Sequence, residues 1–153
     1  MPQKRLATTL LSTLLCAGLA APSLASDDSL QEAIDYRSGV MNVFNWNLGP
    51  MGAMLKEKIP YDQAAFARHA KDLASAAALD VLSGFPDDSV SDDSAAMSEI
   101  WLDWDDFAAK YDDLKQASAK LAEVAAGGDK AAIAEQFDAT RKTCKACHKQ
   151  YKE

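Results

Sequence analysis

The run Cys144-Lys145-Ala146-Cys147-His148 constrains the fold more than any other stretch. Two cysteines three apart, followed at once by a histidine, form the attachment pattern of a c-type haem. The thiols add to the vinyl groups, and the histidine nitrogen reaches the iron. On a helix, residues i, i+3 and i+4 share a face, so both sulfurs and the imidazole can meet one flat macrocycle. A tetrahedral zinc site needs more cysteine or histidine ligands than this, and the others in the chain are Cys16 and His69. A thioredoxin-like pair should open a helix after a strand in a βαβ unit, whereas this pair lies late in a helical pattern. The expectation is one haem c with its iron, covalently held through Cys144 and Cys147, with His148 as a metal ligand.

Residues 1–25 read as a segment outside the fold. Lys4 and Arg5 precede an apolar run from Leu6 to Ala21, and Pro22-Ser23-Leu24-Ala25 puts small residues at the −3 and −1 positions. This is the pattern of a secretory signal peptide cleaved after Ala25. The run is shorter than the roughly 20 residues of a spanning helix, and Ser12 and Thr13 interrupt it, so no membrane insertion of the remaining chain is expected. Cleavage would remove Cys16 and leave residues 26–153 as one domain with a single core. Those residues carry 14 Lys+Arg against 23 Asp+Glu. Such an acidic balance argues against a nucleic-acid partner. A solvated acidic surface explains it; a positively charged redox partner is the alternative. The signal implies a periplasmic location.

Four helical patterns follow, with no convincing strand. The first opens at the capping box Ser29 to Glu32. Its seam runs Ile34, Arg37, Met41, Phe44, Leu48, Met51 and Leu55 in three- and four-residue steps. Pro50 lies within it, and because the seam stays in phase beyond, a bend is expected rather than a break. Asp62 caps a second helix with the stripe Phe66, Ala70, Leu73 and Ala77, expected to stop at Gly84. Residues 85–94, rich in Pro, Asp and Ser, read as a loop. A third helix carries Ile100, Trp104, Phe107, Tyr111, Leu114, Ser118, Leu121 and Ala125 before Gly127-Gly128 ends it. Asp129 caps the fourth, whose seam runs Ile133, Phe137, Thr140, Cys144, Cys147 and Tyr151. The cysteines continue that apolar stripe, which turns the haem inward. The economical packing is all-α, an antiparallel up-down-up-down four-helix bundle.

The sequence resembles the cytochrome c′ family over essentially all of residues 26–153. The resemblance rests on Cys144-Lys145-Ala146-Cys147-His148, on Tyr36-Arg37 followed by Met41, on Pro60-Tyr61-Asp62-Gln63-Ala64-Ala65, and on Ser98-Glu99-Ile100-Trp101. It implies that Cys144 and Cys147 hold the porphyrin, that His148 is the proximal ligand, and that Arg37 lies beside the haem and its propionates. A buried arginine in an apolar seam wants such an acidic partner; the alternative for Arg37 is a side chain reaching out to a surface carboxylate. Glu99 and Trp101 would touch the haem edge, with helix capping and core packing as the rival roles. Many relatives carry an arginine four residues after the axial histidine, where this chain has Lys152.

Met41 stands where the family faces the distal side of the haem. In high-spin members an apolar side chain there crowds the iron and admits only nitric oxide or carbon monoxide. In low-spin relatives a methionine sulfur binds the iron and raises the reduction potential. Methionine is also a flexible filler of cores, so both cases stay open; the second-helix match resembles the low-spin relatives. The leading expectation is a periplasmic one-electron carrier meeting redox protein partners, and the alternative is a haem protein with a small gas ligand. No enzyme is expected, because a peroxidase needs a distal acid–base pair and the seam offers Arg37 with no distal histidine. His69 reads as a solvated residue. A second stripe, Tyr36, Val40, Val43, Pro50 and Met54 with Trp46 beside it, lies roughly 110° around the first helix. It implies a homodimer through that helix, or packing against the second.

Overall fold

The computed structural model describes residues 27–87 and 89–153, and the signal-peptide expectation, with Cys16, lies outside them. Helix α1 spans Asp27–Leu55, α2 Gln63–Ala77, α3 Glu99–Leu102, α4 Trp104–Gly127 and α5 Lys130–Tyr151. The four long helices are the expected up-down-up-down bundle: α1 packs on α2, α2 on α4, and α4 on α5. Among the described residues the extended pairing is a single bridge, Ala96 with Lys152.

The caps follow the sequence. Asp62 accepts from the Ala65 N–H at the start of α2, and Asp129 accepts from Ala131 and Ala132 at the start of α5. Each satisfies amides that a helix start leaves without partners. Gly128 closes α4 at φ 79°, a left-handed conformation that costs glycine little. Helix α1 is already under way at Asp27, two residues before the expected Ser29 cap. A carboxylate at Asp28, in its first turn, suits the positive end of the helix dipole. The helix runs through Pro50 without a break, and Met51 and Met54 beyond it are buried.

Two boundaries differ from expectation. Helix α2 stops at Ala77 rather than Gly84, and Val81–Gly84 forms a separate 3-10 turn. The turn buries Val81 completely and lays Gly84 against α1. A Cβ at Gly84 would stand 3.0 Å from Tyr36 Cδ1 and 3.1 Å from Arg37 Cβ, so glycine serves close approach here and not helix termination. The third pattern is likewise two helices. Asp103 leaves the helical conformation at φ −132°, ψ 53°, and its carbonyl meets the Phe107 N–H and the Tyr151 hydroxyl. Ile100 and Phe107 remain buried on either side of the break, while Trp104, read as a seam residue, is 37% exposed.

The core is continuous along the bundle but its two ends differ. At one end Met51, Phe66, Leu73, Leu121, Ile133 and Phe137 are almost wholly buried. There α1 and α5 come together, with Phe137 3.5 Å from where a Gly52 Cβ would lie. At the other end Met41, Leu48, Cys144 and Cys147 are only partly buried, and the helices stand apart around open space.

Candidate haem site

That space consists of two adjoining cavities of about 170 Å³ and 300 Å³. Met41, Phe85, Phe107, Cys147 and His148 line both. The first extends between α1, α4 and α5 past Phe44, Leu48, Tyr111, Leu114 and Cys144. The second reaches Arg37, Ile100, Tyr151 and Lys152 toward the surface. The periodicity of α1 and α5 explains the convergence: each seam points at the same gap, and at this end neither finds the other.

The chemistry of the walls suits a covalently bound macrocycle. Cys144 and Cys147 are free thiols, not a disulfide, three residues apart on the inward face of α5. Burial pushes both upward in pKa, Cys147 to about 11. A pair of neutral thiols on an apolar wall becomes inert once converted to thioethers, which removes the titration. His148 stands at the rim. Partial burial and then the charge of Lys152 lower its pKa, favouring the neutral imidazole that ligates metals. Among the described residues no group of three or more His, Cys, Asp and Glu converges as a bare-metal site.

Of the other expected residues, Met41 lies on α1 and lines both cavities together with His148 and Cys147. Arg37 lines the outer cavity and is 3% exposed. Among the described residues its guanidinium meets no carboxylate: it donates to the carbonyls of Gly84 and Ser89 and the hydroxyls of Ser89 and Ser94 at 2.7–3.0 Å. It also lies 4.8 Å from the Phe85 ring centroid and 5.9 Å from that of Trp101. Arg37 thus binds the 84–94 segment to α1, and burial lowers its pKa. Glu99 is exposed at the start of α3, and neither it nor Trp101 lines a cavity. The Trp101 indole donates to the carbonyls of Phe85 and Pro86, and so supports Phe85 from behind.

Sequence reasoning missed three parts of this region. Phe85, read as a loop residue, is a buried wall of both cavities, edge-on to Phe107 at 4.9 Å; its one signal was an aromatic side chain amid turn formers. The Tyr151 hydroxyl donates to Asp106 Oδ2 at 2.6 Å, and Lys110 bridges to the same carboxylate at 3.1 Å, fastening the cysteine-bearing turn to α4. His69 is not simply solvated: half-buried, its Nδ1 lies 3.0 Å from Oδ1 of the buried Asn47. That contact ties α2 to α1 and places no histidine in the cavities.

A four-helix bundle with two thiols, an imidazole and a methionine around one apolar gap defines a c-type haem protein of the bundle class. The family profile described as Cytochrome C′ matches residues 32–152, and the chain belongs to the cytochrome c′ family. Cytochrome c′ of Halomonas halodenitrificans is 34% identical over 128 residues, covering 80% of this chain and 96% of that one. The structure of cytochrome c prime from Shewanella frigidimarina superposes with a TM-score of 0.79 at 35% identity, covering 84% of this chain and 99% of the other. The nitric oxide complex of a single-site mutant of cytochrome c prime from Alcaligenes xylosoxidans gives 0.74 at 27% identity, covering 81% and 95%. Members of the family carry covalently attached haem c, and haem c with its iron is the cofactor of this chain.

Proposed function

We propose that the protein is a periplasmic mono-haem cytochrome that carries single electrons. In this reading residues 1–25 are removed on export, Cys144 and Cys147 form the thioethers, His148 is the proximal ligand and Met41 is the distal one. The bound haem supplies the ferric/ferrous couple. The supporting observation is that Met41 borders the same two cavities as Cys147 and His148. It is the soft donor available there. Lys110 is engaged by Asp106, and the Tyr111 hydroxyl donates to the Ala77 carbonyl. A thioether ligand favours the ferrous ion, while Phe44, Phe85, Phe107 and Leu114 give the site apolar walls.

The second reading, a gas-binding site with Met41 unligated, is favoured by the space on both sides of the methionine and by the nitric oxide complex of the Alcaligenes relative. Nitric oxide uptake separates the two. The carrier predicts a reversible one-electron potentiometric titration, with slow nitric oxide binding that accelerates at least tenfold in Met41→Ala. Fast binding by the unaltered ferrous protein, unchanged by the substitution, supports the gas site instead.

The second stripe of α1 divides. Val40 and Met54 are buried against the bundle, whereas Tyr36, Val43 and Trp46 are 38%, 45% and 75% exposed. This exposed strip supports a homodimer through α1. Sedimentation should report a dimer that Val43→Glu converts to monomer; a monomeric unaltered protein removes the idea.

A further inference from the structure

The excess acid of this chain is not spread evenly. Residues 27–140 carry 22 Asp+Glu against nine Lys+Arg, whereas residues 141–152 carry five Lys+Arg and no Asp or Glu. At about 100° per residue, Arg141, Lys142, Lys145 and Lys149 fall within an arc of about 100° on α5, over a length of about 12 Å, and Lys152 follows as the extended residue that caps the helix. No other residue between 141 and 152 falls within that arc. The four lysines are exposed, and among the described residues none of the five cations is in an ion pair. One edge of the stripe adjoins His148 and Lys152, where the outer cavity reaches the surface.

Local roles do not account for the stripe. A helix dipole rewards cations in the last turn only, and Arg141, Lys142 and Lys145 lie further back. Acidic groups of a bound haem could engage Lys152, which lines the outer cavity, but Lys142, Lys145 and Lys149 line neither cavity. An interfacial membrane helix needs aromatic or aliphatic side chains beside its cations, and this arc has none. We infer that the basic face of α5 is the docking surface for an acidic redox protein, which it orients with the haem-bearing turn toward the partner. The acidic remainder of the molecule repels such a partner and leaves this one approach, so charge decides orientation and encounter rate. The inference rests on the electron-carrier reading. In the transfer itself one electron passes from the partner's reduced centre to the ferric haem, with no bond or proton exchanged.

A plant-type two-iron ferredoxin, acidic and a one-electron donor, serves as the probe. Titrated into the ¹⁵N-labelled holoprotein at low salt, it should shift amide resonances of residues 141–152 and leave α1 and α2 unmoved. The shifts should vanish at about 0.3 M salt, where charges are screened over a few ångströms. Lys145→Glu/Lys149→Glu should abolish them and slow reduction by the ferredoxin at least tenfold. Lys56→Glu/Lys58→Glu, with the same change of net charge elsewhere, should do neither. An unchanged haem spectrum confirms that the variants are folded. Shifts elsewhere, no shifts, or equal effects of the two variants overturn the docking surface. So does binding to phosphatidylglycerol vesicles through residues 141–152 without binding to ferredoxin. Potentiometry tests the carrier reading separately: a haem that does not cycle reversibly refutes that reading whatever the resonances show.

Discussion

The two ends of the bundle are built from the same helices and the same seams, yet one is closed and the other open. Around Phe66, Phe137 and Met51 the seams of α1, α2, α4 and α5 meet one another, and the residues reach 0–3% exposure. Around Met41, Cys144 and Cys147 the pattern continues, but the side chains border cavities. An apolar seam that finds no protein partner marks the place of a prosthetic group. The closed end fixes the spacing of the helices, and the open end holds that spacing for something the chain does not itself provide. Polar fasteners serve both ends: Arg37 on the 84–94 segment and Asp106 on Tyr151 at the open one, and Gln63 donating to the Ala125 carbonyl and Gln136 to that of Ala117 toward the closed one.

The sharpest test of this contrast is to remove the open end's covalent anchors. Cys144→Ala/Cys147→Ala should lose all covalent haem to acidified organic solvent, and each single variant should keep one thioether. Haem that resists extraction in the double variant breaks the assignment. At the closed end, Phe66→Ala should cost about 3–5 kcal/mol by chemical denaturation while leaving the haem spectrum unaltered. A changed spectrum would show that the two ends are not separable.

The buried faces of the helices, though not the division into a closed and an open end, are legible in the sequence. The seams of α1 and α5 are regular enough to predict which face each helix buries, and Cys144, Cys147 and Met41 fall on those faces. What escaped prediction depends on contacts distant in sequence. Trp104 fits a continuous helical stripe, but the backbone breaks at Asp103, whose carbonyl meets Tyr151 from the far end of the chain. Gly84 looked like a helix stop because its tight approach to Arg37 and Tyr36 exists only after folding. The four neutral oxygens of Gly84, Ser89 and Ser94 that take up the Arg37 guanidinium are equally distant in sequence, and periodicity cannot see them.

Smaller effects refine the comparison. Arg37→Ala should destabilise by about 2–4 kcal/mol, since it strips charge-assisted hydrogen bonds from buried acceptors. Hydrogen exchange should rise in residues 84–94 before it rises in α2; uniform loss of protection would deny Arg37 its local role. The smallest effect concerns Asp106. Its pKa is depressed by the Tyr151 hydroxyl first and then by Lys110. Its contribution is therefore present above the ordinary aspartate range and lost as pH falls through the folded value. Asp106→Asn should make the melting temperature less sensitive to acid over that range, with no change near neutrality. An unchanged acid dependence would show that the pair contributes nothing.

In the proposed carrier the gap between Met41 and His148 holds the haem with both side chains on the iron. The ferric absorption and resonance Raman spectra test it directly. The expected result is a six-coordinate low-spin haem with a methionine–iron charge-transfer band that disappears in Met41→Ala, leaving a high-spin form. A five-coordinate high-spin spectrum in the unaltered protein, insensitive to Met41→Ala, would contradict it.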